Sequence, residues 1–313
     1  MATTTSGDLL ARARAGDKRS IARLVSVIEN DEPGAADAMR ALYPETGRAR
    51  IVGITGPPGG GKSTLVNRLA GRYRERVSRV AVVAVDPSSP FSGGAILGDR
   101  IRMRERFMDE GVFIRSMASR GHAGGLARAT ARVVNVLDAL GTDVVIVETV
   151  GVGQEEVDVI RVVDTVCLVM VPGLGDDIQA IKAGVLEIAD VLVVNKADRP
   201  GADDTARDLA QMLSLAKDRP WKTPIVRTSA QSGEGLDQLV DAIDRHRAWS
   251  LESGEHDERR RAAARSEVEA LLREALLRDL EGRVGEQRLA AAVKRVAERT
   301  LDPYAAVEEL LRK

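Results

Sequence analysis

Residues 56–63 restrict the fold of this chain more than any other part of the sequence. They read Gly-Pro-Pro-Gly-Gly-Gly-Lys-Ser, which fits the pattern G-x-x-x-x-G-K-[ST] in full. An apolar segment at 50–55 precedes them, and a helical pattern at 62–73 follows. Glycines let the backbone N–H groups of such a loop face a phosphate, and the helix N-terminus adds positive potential at the same place. The sequence therefore predicts a P-loop between a strand and a helix.

The segments around this loop alternate between apolar runs and amphipathic helical patterns. Most of the apolar runs are continuous, which is typical of strands buried on both faces of a parallel sheet. We therefore predict an α/β fold, a P-loop NTPase with a largely parallel sheet flanked by helices. The predicted strands are residues 50–55, 80–85, 112–114, 143–148, 165–171, 191–194 and 224–227. The predicted helices of this part are residues 62–73, 125–140, 203–215 and 235–247.

Composition and pattern divide the chain into three parts. Residues 1–48 show helical spacing and predict an N-terminal helical extension. Residues 49–249 contain the P-loop core. Residues 250–313 are rich in Arg, Glu, Ala and Leu and predict a C-terminal helical extension, with a linker at 250–255. The apolar stripe of this extension needs a partner surface, which is either the main domain or a second copy of the chain.

The bulk composition disfavours several classes of partner. Forty-six basic residues against 47 acidic ones give a net charge of −1, so no broad field attracts nucleic acid or an anionic membrane. Aromatic residues make up only 3% of the chain, which leaves little for base stacking. No apolar run is long enough to span a membrane, and the N-terminus lacks the layout of a signal peptide. The single cysteine, Cys167, lies in an apolar run and predicts a core thiol, so we expect a cytoplasmic location.

Three side chains near the P-loop predict the chemistry of the site. Lys62 can reach the β- and γ-phosphates of a nucleotide, and the Ser63 hydroxyl can ligate Mg²⁺. Glu148 ends the apolar run 143–148, and we interpret it as the carboxylate that orients the water shell of the metal. The other residues expected to line the phosphates are Gly56, Pro57, Pro58, Gly59, Gly60, Gly61 and Thr64.

Gln154 follows this acid in a glycine-containing segment, residues 151–155. Its position invites comparison with the glutamine that orients the attacking water in small signalling GTPases. The spacing from the acid is longer here by two residues. Two interpretations therefore stay open, direct catalysis by Gln154 and a loop that senses the γ-phosphate.

A second motif, Asn195-Lys196-Ala197-Asp198, follows the apolar run 191–194 and fits the pattern N-K-x-D. Guanine presents its N1–H and N2–H₂ donors side by side, and the Asp198 carboxylate can accept both. Adenine lacks that pair, so the discrimination is strong. We expect Asn195 to support the O6 region of the base and Lys196 to lie along its flat face. The second wall of the base site is predicted at Ser229, Ala230 and Gln231.

Four further segments, residues 85–90, 93–103, 147–154 and 172–184, complete a specific set of motifs. Together with the P-loop and N-K-x-D, this set resembles the MeaB/ArgK family. Its members are GTPase chaperones of cobalamin-dependent acyl-CoA mutases such as methylmalonyl-CoA mutase, and they include the human methylmalonic aciduria type A protein. The resemblance covers roughly residues 20–300. It implies a GTPase core of the SIMIBI class, GTP and GDP as ligands, and a homodimer to which the C-terminal extension contributes.

The resemblance also implies roles for individual residues. Asp86 and Asp99 match acidic positions near Mg²⁺ in the first switch region of the family. Residues 148–154 match the second switch, and residues 176–182 match a third switch, in which Lys182 would respond to the partner. Family members hydrolyse GTP slowly alone and faster with their mutase, and they gate its adenosylcobalamin loading and protect it. The sequence shows no obvious built-in arginine finger, which agrees with slow turnover alone.

Three other functions compete with this one. A metal-delivery GTPase would need a His- or Cys-rich site, whereas the three histidines here are scattered in the sequence. A GTP-dependent kinase would need an acceptor site, and no such site is recognisable. A scaffold that binds GTP without cleaving it is the third alternative. Two small departures from the family pattern, Glu155 and residues 175–178, remove no group with an assigned role.

Overall fold

The computed structural model describes residues 6–86, 108–118, 125–149, 162–173, 187–215 and 219–312. The chain forms two compact units, Met1–Arg259 and Arg260–Lys313. The strands are β1 Arg50–Thr55, β2 Val80–Asp86, β3 Val112–Ala118, β4 Val144–Thr149, β5 Thr165–Met170, β6 Val191–Val194 and β7 Ile225–Arg227. The helices described are α1 Ser6–Arg14, α2 Lys18–Glu29, α3 Ala35–Leu42, α4 Lys62–Arg74, α5 Gly125–Ala139, α6 Ala202–Leu215, α7 Leu236–Ser253, α8 Glu255–Val284, α9 Glu286–Ala297 and α10 Pro303–Leu311.

The seven strands form one sheet in the order β3-β2-β4-β1-β5-β6-β7, and each neighbouring pair is parallel. Every residue of β4, β5 and β6 is buried, which confirms the two-sided burial that their continuous apolar runs predict. Parallel pairing brings the carboxyl ends of all seven strands to one edge of the sheet. The segments that follow β1 and β6 therefore begin at this edge, where β4, the neighbour of β1, also ends.

Hydrophobic clusters cover the two faces of the sheet because side chains alternate along each strand. On β2, Ala81 and Val83 pack into the cluster that contains residues of α2, α3 and α5. Val80 and Val82 pack into the opposite cluster, with residues of α4 and α7. The thiol of Cys167 lies buried in this second cluster, as predicted, and burial raises its pKa. The N-terminal helices α2 and α3 thus contribute buried side chains to the hydrophobic cluster on one face of the sheet.

The structure corrects the sequence-based segments in two places. Strand β3 continues to Ala118, beyond the predicted end at residue 114, and Arg115 stays in register with Val83. The guanidinium of Arg115 pairs with Glu29 on α2, so a charged residue is accommodated inside the strand. The predicted linker at 250–255 is wrong, because α7 runs to Ser253 and α8 begins at Glu255. Gly254 alone separates them with a φ of 79°, a left-handed cap that glycine adopts without strain.

The second unit, Arg260–Lys313, consists of most of α8 together with α9 and α10. Many of its large apolar side chains lie more than a third exposed. They are Val268, Leu271, Leu272, Leu276, Leu277, Leu289, Val293, Tyr304, Val307 and Leu311. Among the helices of the described ranges, none combines the length and the apolar character that a bilayer crossing requires.

Candidate nucleotide-binding site

The P-loop leaves β1 at the carboxyl edge of the sheet and ends at the N-terminus of α4. Gly56 has a φ of 147°, and a Cβ there would overlap the carbonyl oxygen of Val169 on β5. Gly61 caps α4 with a φ of 80°, and a Cβ there would lie 2.7 Å from Asn195 Nδ2. Both positions therefore need glycine for conformation and for space. The resulting turn presents the unpaired N–H groups at the start of α4, which is the usual geometry of a phosphate site.

Lys62 begins α4, and its side chain lies within the loop. Its Nζ donates to the carbonyl oxygens of Gly56 at 2.7 Å and Pro57 at 3.0 Å. The residue is only 6% exposed, so its ammonium group lies within the P-loop and has little contact with solvent. Phosphate oxygens are stronger acceptors for an ammonium group than carbonyl oxygens are. A bound polyphosphate can therefore attract Lys62 Nζ away from these carbonyls.

Ser63 and Glu148 meet beside the loop. Ser63 Oγ donates to Glu148 Oε1 at 2.5 Å, and the carboxylate is 5% exposed at the end of β4. Strand β4 pairs with β1, with Glu148 level with Ile54, and this pairing brings the acid to the start of α4. A hydroxyl and a carboxylate are hard oxygen ligands, which Mg²⁺ prefers, so these residues fit the metal that the sequence predicts.

The residues predicted to recognise the base follow β6. Asp198 lies near Ser229, whose side chain donates a hydrogen bond that holds the pKa of the Asp198 carboxyl below its usual value. This carboxylate consequently stays charged and able to accept two donors over the physiological pH range. Ser229 itself is 1% exposed, and its backbone N–H donates to the Glu234 carbonyl at 3.0 Å.

Asn195 connects three segments of the site. Its Nδ2 donates to Gly60 O of the P-loop at 2.9 Å. Its Oδ1 accepts Thr228 Oγ1 and the Ala230 N–H, each at 3.2 Å. Asn195 is 1% exposed, so water does not compete with these bonds. In this protein Asn195 is a structural tie between the P-loop and the segment at Thr228 and Ala230, which is predicted to form the second wall of the base site.

Lys196 and Arg68 add two further ties. Lys196 has a φ of 57°, and its Nζ donates to Gly59 O at 2.8 Å, so its stem crosses from the base motif to the P-loop. Arg68 on α4 donates to the carbonyls of Ala230 at 3.2 Å and Gln231 at 3.3 Å. The sequence analysis missed Arg68 because a lone arginine on a helix has no distinguishing pattern.

The remaining predicted residues differ in what the structure describes of them. Pro58 and Thr64 are exposed on the loop and on the first turn of α4. Asp86 ends β2 at the carboxyl edge of the sheet, where only its backbone is described. Asp99, Gln154 and Lys182 lie outside the described residues.

A buried ionic cluster, which the sequence analysis also missed, lies at the amino end of β6. Asp190 is fully buried and accepts both terminal nitrogens of Arg259 at 2.8 Å, while Arg219 approaches its Oδ1 at 3.2 Å. Burial alone would raise the pKa of Asp190, but the bonds and charge of Arg259, the nearby His246 and the Val166 N–H together outweigh it and hold that pKa low. His246 and Glu255 complete a set of three groups close enough to share a metal. The two guanidiniums occupy the Asp190 oxygens, so the cluster is better explained as a structural one.

Comparisons with known proteins agree with this geometry. Residues 21–284 match the family described as Methylmalonyl Co-A mutase-associated GTPase MeaB. The chain is 36% identical to the GTPase ArgK of Escherichia coli, over 76% of this chain and 75% of that protein. It is 38% identical to the mitochondrial methylmalonic aciduria type A homolog of Mus musculus, over 65% of this chain and 50% of that protein.

A solved structure is similar over nearly the full length of the chain. It is described as a LAO/AO transport system kinase, with a TM-score of 0.74 and 26% identity, covering 99% of this chain and 97% of that one. The P-loop, the guanine motif and the family match are mutually consistent, and guanine nucleotide binding follows from them. The chain belongs to the MeaB family of GTPases.

Proposed function

We propose that this GTPase controls cofactor loading and protection of a cobalamin-dependent acyl-CoA mutase of the methylmalonyl-CoA mutase type. The observation that carries the proposal is the match of residues 21–284 to the mutase-associated GTPase family. Asn195, which joins the P-loop to the segment at Thr228 and Ala230, supports a nucleotide site that responds as one unit. Because Asn195 joins these segments, a change at the γ-phosphate and a change at the base would both affect the same hydrogen-bonded unit. The membership of the MeaB family supplies the class of partner.

The chemistry of this proposal is attack of water on the γ-phosphate of GTP, which yields GDP and phosphate. The P-loop N–H groups and Lys62 stabilise the charge that develops on the phosphate oxygens. Ser63, Glu148, Asp86 and Asp99 are the residues proposed to hold Mg²⁺ and its water shell. The metal, when bound, neutralises charge between the β- and γ-phosphates. Gln154 and Lys182 are proposed to respond to the γ-phosphate and to the partner.

We further propose slow turnover alone and stimulation by the mutase. The proposed organisation is an N-terminal extension at 1–48, a GTPase core at 49–249 and a C-terminal extension at 250–313, in the cytoplasm. The exposed apolar side chains of Arg260–Lys313 support a homodimer, because a second copy would remove this surface from water.

A turnover assay with candidate partners tests the proposal. GTP hydrolysis is measured alone and with purified methylmalonyl-, isobutyryl- and ethylmalonyl-CoA mutases, each as apoenzyme and holoenzyme. We expect one of them to raise turnover by about tenfold or more, and we expect GTP to alter adenosylcobalamin loading of that mutase. Stimulation by none of the three would remove the chaperone role and leave the GTP site intact.

A labelled substrate separates hydrolysis from phosphoryl transfer. With γ-labelled GTP, we expect the label to appear only as inorganic phosphate. Label on a protein or on a small molecule would support a kinase instead. A Lys62→Ala variant is the control for contaminating activity, because it removes the P-loop cation.

A further inference from the structure

A pocket of about 350 Å³ lies at the amino edge of the sheet, beneath the start of β1. It belongs to the unit Met1–Arg259. Strand β1 has six residues, which separate this pocket from the P-loop by about 20 Å. The pocket is lined by Arg48, Arg50, Val77, Asp138, Gly141, Thr142, Asp143 and Arg247.

The two acids of this pocket are already used by the backbone. Asp138 is 3% exposed and accepts the N–H groups of Arg48 at 3.1 Å, Ala49 at 2.8 Å and Gly47. Asp143 Oδ2 accepts the backbone N–H of Arg79 at 2.8 Å. Both carboxylates therefore fix the chain at the edge of the sheet. The three bonds to Asp138 reduce its capacity to pair with an arginine side chain, whereas the single bond to Asp143 engages only Oδ2.

The arginines differ in how well they are matched. Arg50 is paired with Asp244 on α7 at 2.5 Å. Arg247, also on α7, has its Nη2 3.4 Å from Arg48 O, and within the described ranges its buried Nη1 has no hydrogen-bond acceptor. Neither Arg48 nor Arg247 has a carboxylate within ion-pair distance among the residues that the structure describes. Two guanidiniums at this pocket thus lack a direct ion pair, and Asp164 and Asp244 act on Arg247 only from a longer distance.

The acids that surround Arg247 are engaged elsewhere. Asp244 binds Arg50, and Asp164 accepts the N–H of Ile51 at 2.9 Å and lies 3.5 Å from His256. Burial lowers the pKa of Arg247, which means that its surroundings solvate the charge poorly. Arginine nevertheless stays protonated in proteins, so the missing partner is an anion.

We propose that this pocket binds a phosphate monoester. Such a group carries about two negative charges at neutral pH and three acceptor oxygens, which matches two unpaired guanidiniums. The planar fork of arginine suits bidentate contact with phosphate, and Thr142 adds a hydroxyl to the lining. The volume is at the lower end of the range for ligand pockets, about 300–1,000 Å³, so it accommodates the phosphate and a small organic part.

Inorganic phosphate is the probe, and it is titrated into full-length protein loaded with a non-hydrolysable GTP analogue, so that the γ-phosphate position of the P-loop is also occupied. Binding is followed by NMR signals of the arginine Nε–H groups at constant ionic strength, with acetate as the monoanion control. We expect saturable shifts with phosphate and much weaker binding of acetate. Equal binding of acetate and phosphate would overturn the assignment to a phosphate monoester.

Two variants locate the site. Arg48→Ala changes an exposed side chain whose backbone contacts remain, and Arg247→Lys keeps the charge and loses the fork. We expect each to weaken phosphate binding by about tenfold, while GDP affinity and the melting temperature stay at wild-type values. Arg245→Ala, an exposed arginine on the same helix, is the matched control. Unchanged phosphate binding in Arg48→Ala and Arg247→Lys would overturn the proposal.

Discussion

The two edges of the sheet use polar residues in opposite ways. At the amino edge, Asp138 and Asp190 accept fixed protein donors, namely backbone N–H groups and guanidiniums. At the carboxyl edge, Lys62 donates to carbonyls of the P-loop. The N–H groups at the start of α4 are donors that the helix itself does not use.

This difference separates the structural acids from the nucleotide site in space. Acids at the amino edge hold strands and helices together, because removing one leaves buried donors without an acceptor. Groups at the carboxyl edge are arranged for an acceptor that arrives from solution. Substitution of one of these buried acids should therefore change the free energy of unfolding, and variants of the nucleotide site should change nucleotide affinity and turnover.

The largest effect is expected at the base site. Asp198→Asn places an amide donor opposite the N1–H and N2–H₂ donors of guanine, so we expect GTP affinity to fall by about 10³- to 10⁴-fold. Xanthosine triphosphate carries a carbonyl at the same ring position and should bind the variant better than GTP. Titration calorimetry measures both, with Asp208→Asn on the exposed side of α6 as the control. Equal GTP affinity in the two variants would contradict the role of Asp198.

At the opposite edge, Asp190→Asn should mainly change stability. The variant leaves Arg259 and Arg219 near a neutral group in a buried setting, and we expect a loss of about 3 kcal/mol in the free energy of unfolding. Urea denaturation measures this loss, and the exposed Asp257→Asn is the control. GTP affinity should stay within about threefold of the wild type. A larger loss of affinity would show that the two edges are coupled.

Lys62→Ala should give the reverse result. We expect turnover at saturating GTP to fall by about 10²- to 10³-fold, because a cation that stabilises the transition-state charge is lost. The free energy of unfolding without nucleotide should change by less than about 1.5 kcal/mol, since two hydrogen bonds to carbonyls are removed with their donor. The exposed Lys294→Ala is the control. Strong destabilisation by Lys62→Ala would show that this lysine has a structural role as well.

The smallest effect concerns pH. Burial lowers the pKa of His246 below its ordinary value of 6.5, so the unfolded chain takes up a proton there before the folded one does. The stability contributed by neutral His246 is therefore present above about pH 6.5 and declines as the pH falls below it. Urea denaturation measures the free energy of unfolding at pH 7.5 and 5.5. The difference between the two pH values should be smaller for His246→Asn than for the wild type. The same change in both proteins would contradict this assignment.

The sequence predicts the fold well where burial of apolar side chains alone determines the local structure. Continuous apolar runs predict β1, β4, β5 and β6 because burial on both faces leaves no room for polar alternation. Prediction fails where partners come from elsewhere in the chain. The extension of β3 through Arg115 depends on Glu29, which is 86 residues away, and no local pattern shows that pairing.

The residues of the site also divide into those that a local pattern predicts and those that only tertiary contacts reveal. Local patterns predict the P-loop and the N-K-x-D motif, because phosphate and guanine impose short, fixed spacings on the chain. The ties through Arg68 and the cluster at Asp190 depend on tertiary contacts between distant segments, so they become visible only in the structure. The family resemblance, which rested on segments between the motifs, is confirmed by the match over residues 21–284.

The three bonds of Asn195 have a consequence for protein engineering. The N-K-x-D motif cannot be transferred to another protein by itself, because Asn195 is held in place by Gly60 on one side and by Thr228 and Ala230 on the other. If residues 195–198 alone were grafted onto another P-loop protein, the motif would lack the hydrogen-bond partners that hold Asn195 in this structure. A successful graft would have to carry all three segments and the two strands that space them.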